Sequence, residues 1–459
     1  MRNSFSGEMK TLGVLSLPMI FTQLAQMGMG VADAVMAGRV SAADLAGVSL
    51  GGSLYWPLML FVSGIIMAVT PSVSQLHGSG RTGETGEVVR QAFWLVLGGG
   101  SLAIFGIGFA GELFTLVGVD SRGIPIAVEY LSWARWGLVP VLGYFALRYL
   151  CDGLSWTLPA MVIAGCALLL KIPLNYLFIF GFTLGSYEFV GMGGAGAGPA
   201  TAIIMLLELL AMLLVVRYSR MRQSGFWERF SPPNVAEILR LLKLGLPIGL
   251  AMFFEMAVFS IVTLLIGRIG IEAVASHQIA TSVTGIMFMV PLALGMAASI
   301  RVGFNVGRKD YVAARRSGLV ALTLSMAVSA VGVSIMLLAR REIAGLYTND
   351  LEVLAIATTL MLFAACFQPF DNLQVTSLGA LRGYKDTRFP MVAALTAYWG
   401  VALPVGAVLG FGLLGLPELG VYGFWSALAV GLGLAAIVLS LRFNRLSRNP
   451  ALIDTFAQR

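Results

Sequence analysis

Arg217-Tyr-Ser-Arg-Met-Arg-Gln-Ser-Gly-Phe-Trp-Glu-Arg-Phe-Ser-Pro-Pro-Asn-Val-Ala-Glu-Ile-Leu-Arg-Leu-Leu-Lys243 is the longest hydrophilic stretch of the 459-residue chain and lies near its midpoint. The residues beyond it repeat the pattern that began the chain. Leu244-Gly-Leu-Pro247 comes after Lys243, as Thr11-Leu-Gly-Val-Leu-Ser-Leu-Pro18 comes after Lys10. Twenty residues past each proline stands the same turn, Gly38-Arg-Val and Gly267-Arg-Ile. Gly80-Arg81 answers Gly307-Arg308, Thr157-Leu-Pro159 answers Thr387-Arg-Phe-Pro390, and fourteen residues on lies Pro173 or Pro404. The reading is two copies of one unit joined by a hinge: an N-lobe over 1–217, a cytoplasmic hinge over 218–243 with an amphipathic segment, and a C-lobe over 244–459.

Hydrophobic residues make up 58% of the chain, charged residues 12%, and the mean hydropathy is +0.86. A soluble domain is closer to half apolar and a quarter charged, so this composition marks an all-α integral membrane protein. The net charge of +7 is no nucleic-acid signal, because the cations collect in particular loops. Three cysteines (Cys151, Cys166, Cys366), without ligand spacing, argue against a disulfide framework or a zinc site. The apolar stretch over 11–37 is too long for a cleavable signal and is read as the first span.

Segments of roughly 20 apolar residues, the length that crosses the hydrocarbon core, fall near 11–37, 45–74, 88–110, 125–148, 158–181 and 197–216. After the hinge they fall near 244–266, 274–299, 317–339, 352–380, 390–411 and 423–441. The expectation is twelve transmembrane helices, six per half. An even number returns each half to the side where it began, so the lobes are parallel repeats with internal pseudo-two-fold symmetry. Roughly 23 of the 30 Lys and Arg lie at the termini, in the hinge, or in loops after spans 2, 4, 8 and 10. The opposite side holds Arg39, Arg122, Arg135, Arg268, Arg340 and Arg341. Both termini and the hinge are therefore expected in the cytoplasm, with the chain multi-pass in a bacterial-type inner membrane. The hinge end (Ile238, Leu239, Leu241, Leu242 against Arg240 and Lys243) reads either as an amphipathic helix on the anionic leaflet or as a plain linker with a helical end.

Several motif matches carry no weight. Gly191-Met-Gly193-Gly-Ala-Gly196 fits G-x-G-x-x-G, but with 55 glycines such matches arise by chance, and none follows a strand in a βαβ unit. Gly47-Val-Ser49-Leu-Gly51 spells a nucleophile elbow inside a span, in a chain with only two histidines. No Gly-Lys pair exists for a phosphate-cradling loop. The chain is read as no enzyme, without cofactor, drawing on an ion gradient for any uphill movement.

Acids at the bilayer centre cost at least about 2.5–3.5 kcal/mol each, so each needs a reason. Glu255 sits mid-span in Ala251-Met-Phe253-Phe254-Glu255-Met256, and Asp371 follows Phe367-Gln368-Pro369-Phe370, where the proline should free a carbonyl. Asp33 lies in Met29-Gly30-Val-Ala-Asp33-Ala-Val-Met36, toward the outer part of span 1. Each acid either pairs with an intramembrane cation or serves as a site for a proton, a metal cation or a cationic ligand. A carboxylate in low dielectric holds its proton more tightly than in water, a property suited to proton exchange. On the repeat, Glu255 falls opposite Gln26 and Asp33 opposite Val262, so the halves share a scaffold and differ in chemistry. Lys171 in span 5 must pair with an acid or face a wet cavity. Asn175 and Thr201 offer neutral oxygens for a cation near Asp33, or simply hydrogen-bond helix to helix. Glu208 stands alone among leucines, and His277-Gln278 opens span 8. Met252, Phe253, Phe254 and Met256 would suit a flat organic cation.

The chain resembles the multidrug and toxic compound extrusion (MATE) transporters, the NorM branch in particular. The resemblance covers essentially the whole length. It is carried by Met29-Gly-Val-Ala-Asp33-Ala-Val-Met-Ala-Gly38, Pro173-Leu-Asn175-Tyr, Phe253-Phe-Glu255 and Ala275-Ser-His-Gln278. Asp371 and the run Ser377-Leu-Gly-Ala-Leu-Arg-Gly-Tyr-Lys-Asp386 complete it. It implies outward antiport of cationic, often aromatic drugs and dyes in exchange for Na+ or H+, by rocking of two lobes around a central cavity in a monomer. It implies that Glu255 and Asp371 form the coupling site, with Na+ as a possible metal, and that Asp33 is the N-lobe acid beside Asn175, Thr201 and Lys171. It also places Gln278, Phe253, Phe254, Asn372 and Gln374 along a substrate path. Two departures stand out: Ile179 where some relatives carry a second acid, and Phe367 where relatives can carry tyrosine. The alternative is a flippase for a lipid-linked saccharide, built on the same architecture, which would call for a basic cavity.

Overall fold

The computed structural model describes residues 5–117, 122–184 and 187–457. The chain opens with α1 (Phe5–Val40), α2 (Ala42–Ile66), α3 (Val69–Gly78), α4 (Thr85–Ile107), α5 (Ala110–Val117), α6 (Ile124–Ala134), α7 (Leu138–Gly153) and α8 (Leu158–Phe180). A short hairpin comes next, β1 (Gly181–Leu184) antiparallel to β2 (Tyr187–Val190), and then α9 (Ala197–Tyr218). After the hinge come α10 (Val235–Ile266), α11 (Ile271–Gly307), α12 (Tyr311–Leu338), α13 (Arg340–Gly345) and α14 (Leu351–Gly383). The chain ends with α15 (Arg388–Leu395), a π-helical segment over Thr396–Ala402, α16 (Leu403–Gly410), α17 (Val421–Ser447) and α18 (Pro450–Ala457).

Among the described residues, eleven helical segments are long and apolar enough to cross a membrane, where the sequence pointed to twelve. The difference is the fourth. Residues 124–153 form α6, a 3-10 turn over Arg135–Gly137, and α7, and they carry Glu129, Arg135, Arg148 and Asp152. Nearly all of α7 is buried, so it has no need of an apolar outer face. Elsewhere the outward side chains are greasy. Leu102, Phe105, Leu169, Leu264 and Leu338 are exposed, as they would be against lipid. The hairpin between α8 and α9 is a second departure from an all-helical expectation.

Packing divides the chain into two compact units, Phe21–Gly249 (the first) and Met1–Ile20 with Leu250–Arg459 (the second). The division is offset from the sequence halves 1–217 and 244–459. The opening turns of α1 belong to the second unit, where Leu12, Leu15 and Met19 join a core with Ile300, Val302, Leu381 and Phe443. There Arg301 grips Glu8 by two hydrogen bonds of 2.9 and 2.8 Å, and Ser317 adds a third at 2.6 Å. Conversely, the opening turns of α10 belong to the first unit. A Cβ on Gly245 would collide with the Ile65 carbonyl oxygen, so only glycine allows that crossing. Pro18 and Pro247 each stand within three residues of the point where their helix changes unit.

The hinge does not form a separate surface helix. Arg90 donates to the Gly225 and Phe226 carbonyls (2.5 and 3.0 Å) and to Ser231 Oγ (2.8 Å). Gln91 donates to the Pro232 carbonyl (3.0 Å) and accepts from the Asn234 amide (2.8 Å). This strap ties 225–234 to α4. The segment read as amphipathic, 238–243, is helical and runs on without a break into the rest of α10. In the second unit α18 plays the corresponding part: Tyr311 donates to Asp454, and Lys385 to the Ala457 carbonyl at 3.3 Å.

The repeat recurs in backbone geometry. Helices α3, α7, α11 and α14 end in one turn, with Gly80, Ser155, Lys309 and Lys385 at φ of 80°, 60°, 59° and 63°. In each, that residue's amide bonds three residues back (3.1, 2.8, 2.9 and 2.8 Å), and the next amide five back (3.0, 2.9, 3.0 and 3.0 Å). This is the Schellman closure of a helix C-terminus.

Candidate functional site

The first unit brings Asp33 together with its predicted neighbours. Asp33 comes from α1, Lys171 and Asn175 from one face of α8, and Thr201 from the first turns of α9. Lys171 Nζ lies 3.0 Å from Asp33 Oδ1, and Asn175 Nδ2 donates to the same oxygen at 2.7 Å. Lys171 also donates to Thr201 Oγ1 at 2.5 Å, whose own proton goes to the Ala197 carbonyl at 2.7 Å. All four residues are buried. Of the two alternatives for Asp33 and for Lys171, pairing is what the structure contains. The ammonium takes the position beside the carboxylate that a free cation would occupy, and Asn175 Oδ1 is left buried without a hydrogen-bond partner. Such an ion pair needs good geometry and extra hydrogen bonds to offset its desolvation, and Asn175 and Thr201 supply them.

The second unit gathers Glu255 from α10, Asp371 from α14 just after Pro369, and Tyr398 from the π-helical segment. Tyr398 Oη donates to Glu255 Oε1 at 3.4 Å, and Trp399 Nε1 donates to the Phe254 carbonyl at 3.1 Å. Asp371 is buried within electrostatic range of both Glu255 and Tyr398. Two acids and a phenol, without an ion pair joining the acids to a lysine or arginine among the described salt bridges, make a set of oxygen donors suited to a hard monovalent cation or to protons. Tyr398 and Trp399 escaped sequence reading. Nothing in Thr396-Ala-Tyr-Trp-Gly400 distinguishes a π turn from an α turn, although π segments gather at functional sites.

The expected substrate-path residues divide. Phe254 packs edge-on against Trp399, with ring centroids 5.8 Å apart, and so lines the Glu255 cluster. Phe253 and Gln278 are exposed. Asn372 is buried and bonded within its own unit. Its Oδ1 accepts from Gln368 at 2.8 Å and its Nδ2 donates to the Ser325 carbonyl at 3.0 Å, locking α14 to α12. Gln374 is buried, with Oε1 lacking a hydrogen-bond partner. Phe367 is buried against Trp425, ring centroids 6.0 Å apart. His277 is buried and hydrogen-bonded at both ring nitrogens. Trp425 Nε1 donates to its Nδ1 at 3.1 Å, which leaves the proton on Nε2, 3.0 Å from Thr263 Oγ1. Among the described residues no group of three or more His, Cys, Asp or Glu has metal-site geometry.

A model of the family described as MatE matches residues 18–177 and again 247–408. Both matches begin at the prolines on which the internal repeat aligns. The multidrug resistance protein MdtK of Edwardsiella ictaluri is 39% identical over 445 residues, covering 96% of either chain. The probable multidrug resistance protein NorM of Xanthomonas campestris pv. campestris is 40% identical over 445 residues, covering 97% of this chain and 95% of that one. Among solved structures, the eukaryotic MATE transporter AtDTX14 superposes with a TM-score of 0.86 at 19% identity, covering 98% of this chain and 99% of its own. The Vibrio cholerae transporter VcmN in its bent form superposes with a TM-score of 0.86 at 18% identity, covering 98% and 100%. At those identities the two structures speak for the fold alone.

Proposed function

Because the chain belongs to the MATE family and is a secondary active multidrug efflux transporter of the inner membrane, we propose that its two buried acidic clusters divide the work between them. Glu255 and Asp371 bind the coupling ion, Na+ or H+, whose inward movement drives export. Asp33 receives the cationic, aromatic substrate, or a cation exchanged for it. The observation that carries this division is the difference in partners: Glu255 and Asp371 face Tyr398, whereas Asp33 already holds a lysine.

Alternating access is performed by the two packed units, with α1 and α10 as the helices shared between them. Residues 124–153 cross the membrane as a twelfth span. An odd number would place the two termini on opposite sides and break the agreement between the repeat and the distribution of Lys and Arg. Termini and hinge are then cytoplasmic, and the transporter acts as a monomer. The flippase reading would require free intramembrane cations for a pyrophosphate, and Lys171 is engaged with Asp33.

Ethidium efflux from proteoliposomes under an imposed Na+ gradient, an imposed H+ gradient, or both tests the coupling. Efflux with Na+ alone assigns a metal ion to Glu255 and Asp371, and efflux with H+ alone makes them proton carriers. Glu255→Gln and Asp371→Asn are each expected to abolish drug resistance in cells while the protein stays inserted. Normal resistance from either variant removes that acid from the mechanism.

A further inference from the structure

Glu208 belongs to neither acidic cluster. It lies on α9, 3% exposed, and its Oε1 is buried without a hydrogen-bond partner. A buried carboxylate oxygen left unbonded is costly and calls for an explanation. The cations within its electrostatic range are Lys171 and Arg148. Arg148 is committed elsewhere, with Nη2 donating to Gln23 Oε1 at 3.1 Å and Nε 3.6 Å from Asp152 Oδ2.

The register of α8 against α9 places Lys171 between two acceptors. A Cβ on Gly196 would collide with the Phe178 carbonyl oxygen, which sets Phe178 beside the start of α9. The helices are joined through a hairpin and run in opposite directions, so Lys171, seven residues before Phe178, stands level with residues 203–204. At about 1.5 Å per residue, Thr201 lies roughly 4 Å away along the axis in one direction, and Glu208 roughly 7 Å away in the other. Both lie within the swing of lysine's flexible stem.

We propose that Lys171 is a tethered counter-ion that moves between two carboxylates: it rests on Asp33 in the state seen here and transfers to Glu208 when a cationic ligand takes Asp33. Glu208 thereby gives the displaced ammonium a second acceptor, so that binding at Asp33 becomes an exchange of one cation for another. The inference rests on the reading of Asp33 as the substrate acid.

The test is a double-mutant cycle on ethidium binding to the full-length protein in lipid nanodiscs, read by dye fluorescence, with thermal melts to confirm folding. Glu208→Gln is expected to weaken ethidium binding at least about fivefold, because Lys171 has nowhere to go. In a Lys171→Met background the same Glu208→Gln change is expected to have no effect, since no ammonium needs a second acceptor. If Lys171→Met does not fold, Lys171→Gln serves in the same cycle. Affinity in Glu208→Gln equal to that of the unaltered protein overturns the proposal. An equal loss in both backgrounds also overturns it, since Glu208 would then act independently of Lys171. Failure of the transport reading looks different: the unaltered protein would neither bind nor export ethidium, and both ideas would fall together.

Discussion

The ion pair between Asp33 and Lys171 makes the chemistry of the first unit a matter of net charge. Removing one member of a buried pair leaves the other uncompensated, at a cost of about 3–5 kcal/mol, whereas removing both together costs far less. Asp33→Asn alone is therefore expected to lower the melting temperature in detergent clearly, and Asp33→Asn with Lys171→Met to recover most of the loss. A double variant as unstable as the single one would show that the pair contributes packing and not charge balance. In the second unit the Tyr398 hydroxyl donates to Glu255, and under the proposed coupling role it would compete with an incoming ion. Tyr398→Phe is expected to shift the coupling-ion concentration for half-maximal efflux by severalfold, with the amount of inserted protein unchanged. An unaltered ion dependence would reduce Tyr398 to packing. Asp33, Lys171, Asn175 and Thr201 were legible as a group because polar residues in apolar helices are few, so any that exist have few possible partners. Asn372 ties α14 to α12, and a buried amide that joins two helices reads in sequence like one that meets a ligand.

Helix ends and crossings hold the repeat in place. Three of the four Schellman turns carry a side chain where glycine is the relaxed choice, and left-handed backbone costs an L-residue roughly 1–2 kcal/mol. Lys309 is exposed, so Lys309→Gly is expected to raise stability by about 1 kcal/mol, seen as a higher melting temperature with efflux retained. No gain would mean that the lysine side chain compensates through contacts of its own. Spans, hinge position and repeat could be read from hydropathy and proline spacing, which are one-dimensional properties of the chain. The break at Arg135–Gly137 and the π segment over Thr396–Ala402 could not, because each lies against a distant helix, Gly137 beside Met205 and Trp399 beside Phe254, and the strands β1 and β2 are too short to register in hydropathy. The strap over 225–234 was not legible either, because its polar residues bond to Arg90 and Gln91, more than a hundred residues earlier in the chain.

At the scale of the molecule, the proposed alternating access would call for flexure in the two helices that change unit. In each a proline removes a backbone hydrogen bond close to the change, Pro18 before Ile20 and Pro247 before Gly249. Pro18→Ala and Pro247→Ala are expected to preserve folding and ethidium binding while slowing efflux several-fold, measured on proteoliposomes. Efflux at the original rate from the double variant would move the flexure elsewhere.

The same arrangement bears on how the chain is made. The first unit is complete once Gly249 has been synthesised, but the opening turns of α1 need Arg301 and Ser317, which the ribosome reaches nearly 300 residues later. At about 5–20 residues per second the start of the protein waits tens of seconds, inserted but without its partners. A chain cut in the hinge yields two fragments, each carrying a piece that packs with the other's core. Two such fragments synthesised in one cell therefore have reason to find each other.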